Sequence, residues 1–297
     1  MTDDFEALRT EQPNPRTPDV DLLDTLSILQ RLNDEDLTVA PAVRTALPDV
    51  ARAVDLSLGP WRRGGRIVLF GAGTSGRLAA LDAAELQPTF GVAPDRYQAR
   101  LAGGVGAFQQ AAEGAEDDRA AGAKAANDLT GADVAFGLAA SGRTPWVLGA
   151  LEAARAHGSA TIGLACVPRP ALANLVDVLI VVDTGPEPIS GSTRMKAGTA
   201  QKLVLNTFST TLMIRLGKVY RNLMVDVQPT NQKLRSRARG LVAQIAGVPE
   251  SAAEDALRTT GGEVKTAIAM LRLDISVAEA RRRLEAVDGR LRSVLGD

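Results

Sequence analysis

The sequence predicts a doubly wound α/β protein: a mainly parallel five-stranded sheet flanked by helices, followed by a small helical domain. Three observations carry this. Five short apolar runs recur between residues 66 and 182, helical patterns separate them, and strand-like runs stop after about residue 194. Strands buried on both faces read as continuous apolar runs, and parallel neighbours require right-handed crossovers.

Along the chain, residues 1–19 are rich in proline and charge, and Pro13, Pro15 and Pro18 discourage regular structure. Helical patterns follow at 21–34 and 40–63, the second with Val43, Leu47, Val50, Ala51, Val54 and Leu58 on one face. The period then changes. Arg66–Phe70, stopped by Gly71, reads as the first strand; the others are expected at about 97–102, Val134–Leu138, Ala160–Ala165 and Val178–Val182. Crossover helices are expected at 75–86, 106–129 and 144–157, and a long helix at 194–216. Beyond Lys218–Val227 only helical patterns remain, punctuated at Val248–Ser251, Thr260–Gly262 and Asp274–Ser276. Three parts result: helices that pack on the core at 1–63, a sheet domain at 64–230, and a helical domain at 231–297.

The 297 residues are 45% hydrophobic and 23% charged, an ordinary globular balance. A formal net charge of -1 gives no global field that would draw nucleic acid or an anionic membrane. The local runs Arg235-Arg237-Arg239 and Arg281-Arg282-Arg283 read as solvated helix faces. A single cysteine, Cys166, excludes an internal disulfide framework and fits a reducing compartment. The acidic opening Met1–Glu6 has no apolar core of a signal peptide, and Leu203–Leu216 is too short and too polar to span a bilayer. A cytoplasmic protein is expected.

Ligand sites in such sheets lie at the carboxyl ends of the strands. The first strand runs into Gly71-Ala72-Gly73-Thr74-Ser75-Gly76-Arg77, which matches the dinucleotide fingerprint GxGxxG. That fold also needs an acid at the end of the second strand, and Ala99-Arg100-Leu101-Ala102-Gly103-Gly104 supplies none. Thr74 and Ser75 instead offer hydroxyls to an anion or a sugar oxygen. The third strand opens into Ala140-Ser141-Gly142-Arg143-Thr144-Pro145, where free N–H groups and a helix dipole would favour a phosphate. Thr144-Pro145 also reads as a helix N-cap with proline at the first position. The third loop, Ser190–Lys202, places Ser192, Thr193, Arg194 and Lys196 ahead of an apolar helix, more hydroxyls than capping needs. The residues expected to hold substrate are therefore Thr74, Ser75, Ser141, Gly142, Arg143, Thr144, Ser192, Thr193 and Lys196.

Acid–base groups are few. The only histidine, His157, reads as a charge at a helix C-terminus. Glu85, within Leu81-Asp82-Ala83-Ala84-Glu85-Leu86, stands in an apolar stretch of sequence that would raise its pKa, although on the residues alone an exposed helical glutamate is the default reading. Glu113, Glu116, Asp117 and Asp118 form an acidic cluster with the pattern of a solvated helix end. No His/Cys/Asp spacing suggests a metal site.

These loops resemble the sugar isomerase (SIS) fold. More narrowly, Gly71–Leu78, Ala140–Pro145 and Gly191–Lys202 are similar to the N-acetylmuramic acid 6-phosphate etherase family. The similarity continues through Gly217–Tyr220, Asn222–Val227, Thr10–Gln12 and Asn33–Asp36. The resemblance implies an SIS sugar-phosphate domain at 64–230 and a UBA-like helical domain at 231–297. It implies a lyase that cleaves the D-lactyl ether at C3, releasing D-lactate and N-acetylglucosamine 6-phosphate in peptidoglycan recycling. It assigns Glu85 as proton donor and Glu116 as the second carboxylate, with no metal or organic cofactor, and a homodimer. Two other classes share the fold: sugar-phosphate-sensing repressors and the regulators of glucokinase. A repressor needs a basic DNA-reading helix, which the residues before the first strand do not supply, and the kinase regulators carry two copies of a unit that occurs here once.

Overall fold

A computed structural model describes residues 8–297, and the acidic opening Met1–Glu6 lies outside the described residues. By contacts the chain forms two compact units: one from the residues up to Ala83 together with Asp95–Phe208, the other from Ala84–Pro94 and Ser209–Asp297.

The first unit is built on a five-stranded parallel sheet in the order β2-β1-β3-β4-β5. The strands are β1 (Ile67–Gly71), β2 (Tyr97–Leu101), β3 (Val134–Leu138), β4 (Ala160–Ala165) and β5 (Val178–Val181). β1 and β3 are buried at every position, as continuous apolar runs require. The strand order reverses between β1 and β3, so a crevice opens at their carboxyl ends. Helices α1 (Thr25–Asp36) and α2 (Val39–Arg62) precede the sheet, and α4 (Arg119–Ala125) and α5 (Pro145–Ala156) lie between its strands. Two further helices, α3 (Gly73–Phe90) and α6 (Lys196–Arg215), begin in this unit. The buried face of α2 carries Val43, Val50, Val54 and Leu58 as expected, with Ala46 and Ala53 in place of Leu47 and Ala51. Phe136 on β3 meets Phe208 edge-on, with ring centroids 5.2 Å apart.

One expectation fails here. Residues 106–129 do not form a helix: a short 3-10 turn spans Val105–Phe108, and only Arg119–Ala125 is α-helical. Gly114 adopts a left-handed conformation that stops any helix before it. Asp118 then starts α4, its carboxylate accepting a hydrogen bond from Ala121 N at 2.8 Å.

The opposite end of β1 and β3 is tied by charge. Asp133 accepts hydrogen bonds from Arg66 N at 2.8 Å, Arg66 Nη2 at 2.9 Å and Thr130 N at 2.9 Å. Burial works against the Asp133 charge, but the bonds from Arg66 and Thr130 outweigh it and hold the carboxyl at about 2.

Among the described residues the proline-rich leader has no regular element before Val20, yet Leu8, Thr10, Asn14 and Thr17 are buried. Its polar atoms bond to the segment after β5. Gly191 N donates to Thr10 O at 2.9 Å, Thr17 Oγ1 to Pro188 O at 2.8 Å, and Asn14 Nδ2 to Pro186 O at 3.3 Å.

The second unit contains a short antiparallel hairpin, β6 (Val219–Tyr220) and β7 (Leu223–Met224), which the sequence did not suggest. It also contains α7 (Gln232–Ala246), α8 (Glu250–Thr259), α9 (Val264–Leu273), α10 (Val277–Glu285) and α11 (Leu291–Leu295). Each anticipated punctuation point separates two helices, and Ser276 caps α10 by accepting from Glu279 N at 3.2 Å. Tyr220, Val225 and Val227 pack with Leu234, Val242 and Ile268 in one core, so this unit begins earlier than residue 231. Asp226 ties Lys218 at 3.0 Å and Lys265 at 2.8 Å.

Candidate active site

The three hydroxyl-rich loops meet. Ala72, Gly73, Thr74 and Ser75 after β1, Ala140, Ser141, Thr144 and Pro145 after β3, and Thr193 before α6 line a cavity of about 270 Å³. Glu11, Glu116 and Asp117 complete its wall.

Local backbone chemistry places each loop. At Gly76 a Cβ would stand 2.0 Å from Leu101 Cδ1 and 2.7 Å from Gly71 O, so only glycine lets α3 start directly above β1. The N–H groups of the first α3 turn that have no partner within the helix belong to Gly73, Thr74 and Ser75, all of which line the cavity. Arg77 points toward a neighbouring loop, where its Nε donates to Ala107 O at 3.1 Å and pins the segment after β2. Thr144 occupies the N-cap position of α5, with Pro145 next, but its hydroxyl makes no capping bond. That hydroxyl is left to the cavity it lines. Trp146 N, in the first turn of α5, donates to Glu116 O at 2.9 Å, which draws the acidic segment onto the second loop. A smaller cavity of about 190 Å³ shares Ala72, Gly73 and Glu116 with the first, so Glu116 borders both.

The α6 terminus is different. The carboxylate of the fully buried Glu187 accepts from Lys196 N at 2.8 Å and Ala197 N at 2.9 Å, so the anion position at this helix start is already filled. Burial pushes the Glu187 carboxyl above its ordinary range, and these two N–H bonds and the Lys196 charge only partly offset it. Lys196 Nζ donates to Glu35 Oε2 at 2.7 Å, with both side chains 1% exposed. Glu35 also accepts from Asn14 Nδ2 at 2.8 Å and Arg16 Nη2 at 2.9 Å. Burial opposes the Glu35 charge, but the bonds from Arg16, Lys196 and Asn14 outweigh it and keep the carboxyl below the usual range.

Comparison with known proteins identifies the family. The chain is 50% identical over 295 residues to the N-acetylmuramic acid 6-phosphate etherase of Mycolicibacterium smegmatis, covering 99% of both chains. It is 50% identical over 291 residues to the enzyme of the same name in Deinococcus radiodurans, covering 97% of this chain and 95% of the relative. The chain belongs to the N-acetylmuramic acid 6-phosphate etherase family. A family model described as the glucokinase regulatory protein N-terminal SIS domain matches residues 49–155. Among solved structures, one from Bacteroides fragilis NCTC 9343 assigned as a phosphosugar isomerase involved in capsule formation superposes with a TM-score of 0.50. It is 19% identical and covers 67% of this chain and 95% of its own, which is a likeness of fold.

Of the residues the sequence singled out for substrate binding and catalysis, Thr74, Ser75, Ser141, Thr144, Thr193 and Glu116 line the cavity. Gly142, Arg143 and Ser192 belong to the same loops without lining it. Lys196 must be reassigned: its ammonium is committed to Glu35 in a buried pair, because α6 turns its first side chain inward. Among the described residues Glu85 stands in no apolar pocket. Asp82, Leu86 and Phe90 form the buried face of α3, and Glu85 is exposed beside the half-exposed Leu81. Apolar neighbours in sequence became opposite faces once the helix formed, since each residue turns about 100° from the last. Two cavity residues were not anticipated. Asp117 sits in the acidic cluster that read as a solvated helix end. Glu11 was visible only as part of Thr10–Gln12.

Proposed function

We propose that the chain cleaves the D-lactyl ether of N-acetylmuramic acid 6-phosphate, giving N-acetylglucosamine 6-phosphate and D-lactate in the recycling of peptidoglycan. The carrying observation is a cavity whose walls include Ser75, Ser141, Thr144 and Thr193, at or just before three helix starts, with Glu116 at its border. The hydroxyls and the free N–H groups of the α3 turn suit a phosphate. Opening of the sugar ring makes the C2 hydrogen acidic. Loss of that proton to a carboxylate and breakage of the C3–O bond leave an alkene, while an acid delivers a proton to the departing lactate oxygen. Water then adds at C3 and a proton returns to C2. Family membership supports Glu85 as the proton donor and Glu116 as the second carboxylate of these transfers. The chemistry needs neither metal nor organic cofactor.

We read the protein as a cytoplasmic homodimer. No helix of the described residues is long and apolar enough to cross a membrane. The test is incubation with N-acetylmuramic acid 6-phosphate and assay of D-lactate. Tight binding without D-lactate release would replace the enzyme with a sugar-phosphate sensor, the class indicated by the match at residues 49–155.

A further inference from the structure

We propose that Glu11 contacts the substrate, its carboxylate accepting a hydrogen bond from a hydroxyl of the sugar. The inference rests on the etherase reading and adds a residue to it. Glu11 lines the cavity together with Ser75, Ser141, Thr144, Thr193 and Glu116. It arrives there on the proline-rich leader, 62 positions before the sheet's first loop at Gly73.

Its place is fixed by the backbone on both sides. Glu11 N donates to Leu8 O at 2.9 Å, and Gly191 N donates to O of the fully buried Thr10 at 2.9 Å. The carboxylate lies across Gly191: a Cβ there would come within 2.6 Å of Glu11 Oε2. Gly191 also has a φ of +74°, so the third loop both leaves the space that the carboxylate occupies and turns in a way glycine tolerates. Among the described residues the carboxylate takes one long bond, from Thr10 Oγ1 at 3.3 Å. An ionised carboxylate has about four acceptor positions, so most of those on Glu11 remain open toward the cavity.

The charge of Glu11 decides what can fill them. An ionised carboxylate only accepts, and it repels the phosphate and the lactyl carboxylate of the substrate. The partner is therefore a neutral donor, and a sugar offers hydroxyls. Glu11 thus orients the ligand: it keeps the phosphate on the side of the hydroxyls and N–H groups of the α3 and α5 starts, and holds the sugar by a hydroxyl.

The test uses the full-length chain and its E11A and E11Q variants, with D-lactate release measured across substrate concentration and Tm measured alongside. E11A is expected to raise KM about ten- to hundredfold, as loss of a hydrogen bond to a charged acceptor does. E11Q, which retains an acceptor oxygen, should recover part of that loss, and both variants should keep the wild-type Tm. KM and kcat within about twofold of wild type in both variants would overturn the proposal. So would an E11A defect that glutamine does not relieve and that follows a fall in Tm, since Glu11 would then only brace the leader. Should the wild-type chain release no D-lactate, the etherase reading fails separately. Glu11 would then be judged by the Kd of N-acetylglucosamine 6-phosphate, weaker in E11A if the contact exists and unchanged if it does not.

Discussion

Replacing Lys196 by methionine separates a structural cation from a substrate-binding one. Lys196 and Glu35 are each 1% exposed and bond at 2.7 Å, so K196M leaves a buried carboxylate without its one buried cation. Removing one partner of a buried pair costs about 3–5 kcal/mol. Glu35 retains Arg16 Nη2 at 2.9 Å and Asn14 Nδ2 at 2.8 Å, which lowers the expectation to about 2–4 kcal/mol. For a unit of this size that corresponds to a fall in Tm of about 6–12 °C at the middle of the range. The pH dependence should change as well. Because the folded-state pKa of Glu35 is depressed, its contribution is complete above the ordinary carboxylate value and disappears as pH falls through the folded value. With Lys196 gone the depression shrinks, so K196M should lose less stability than wild type as pH falls below the ordinary carboxylate value, and the gap between the two should narrow. The assay is calorimetry of wild type, K196M, E35Q and the double variant from pH 3 to 8, paired with steady-state kinetics. The double variant should cost less than the sum of the single ones. A K196M protein with wild-type Tm and a KM raised more than tenfold would refute the reasoning and return Lys196 to the substrate.

The remaining predictions concern the two ends of the sheet and the loops. D133N should lose about 2 kcal/mol at pH 7 in urea unfolding, from a carboxyl lowered from 3.8 to about 2. That contribution is complete above 3.8 and lost as pH falls through about 2, so the gap to wild type should close to about half near pH 3; a gap that stays constant argues against the ion pair. T144A should raise KM about tenfold with Tm unchanged, because the hydroxyl makes no capping bond; a Tm loss equivalent to about 1 kcal/mol would show that it caps α5 after all. E85Q should retain ligand binding while losing turnover, read by titration and D-lactate assay; surviving turnover would move the proton donor elsewhere.

The sheet was legible because parallel strands buried on both faces leave a simple trace. Val134–Leu138 and Ala160–Ala165 are apolar runs whose ends coincide with the observed strands. The hydroxyl loops were legible for a related reason: strand ends are the places where Ser, Thr and Gly have no packing purpose. Side-chain direction was harder to read. Lys196 shares a motif with Thr193, yet one faces Glu35 and the other the cavity, and the difference depends on Glu187 closing the first turn of α6. The stretch 106–129 read as helical, yet Gly114 is left-handed and only Arg119–Ala125 forms an α-helix. Glu11 was hardest of all. Pro13, Pro15 and Pro18 speak against regular structure, but irregular backbone can still be fixed when it is bonded to something distant, and no local pattern records that partner.

That distance has a consequence in time. The bonds holding the leader pair Asn14 with Pro186 and Thr17 with Pro188, separations of 172 and 171 residues. Closing a flexible loop of that length costs about 4–5 kcal/mol of chain entropy, which a few hydrogen bonds cannot supply alone. The leader must therefore dock last, after β5 and the turn beyond it have joined the sheet. On the ribosome these residues wait until Pro186 and Pro188 have been made before finding their place. A nascent or truncated chain that stops short of Pro186 could complete β1 to β5 and still lack the Glu11 wall of its cavity.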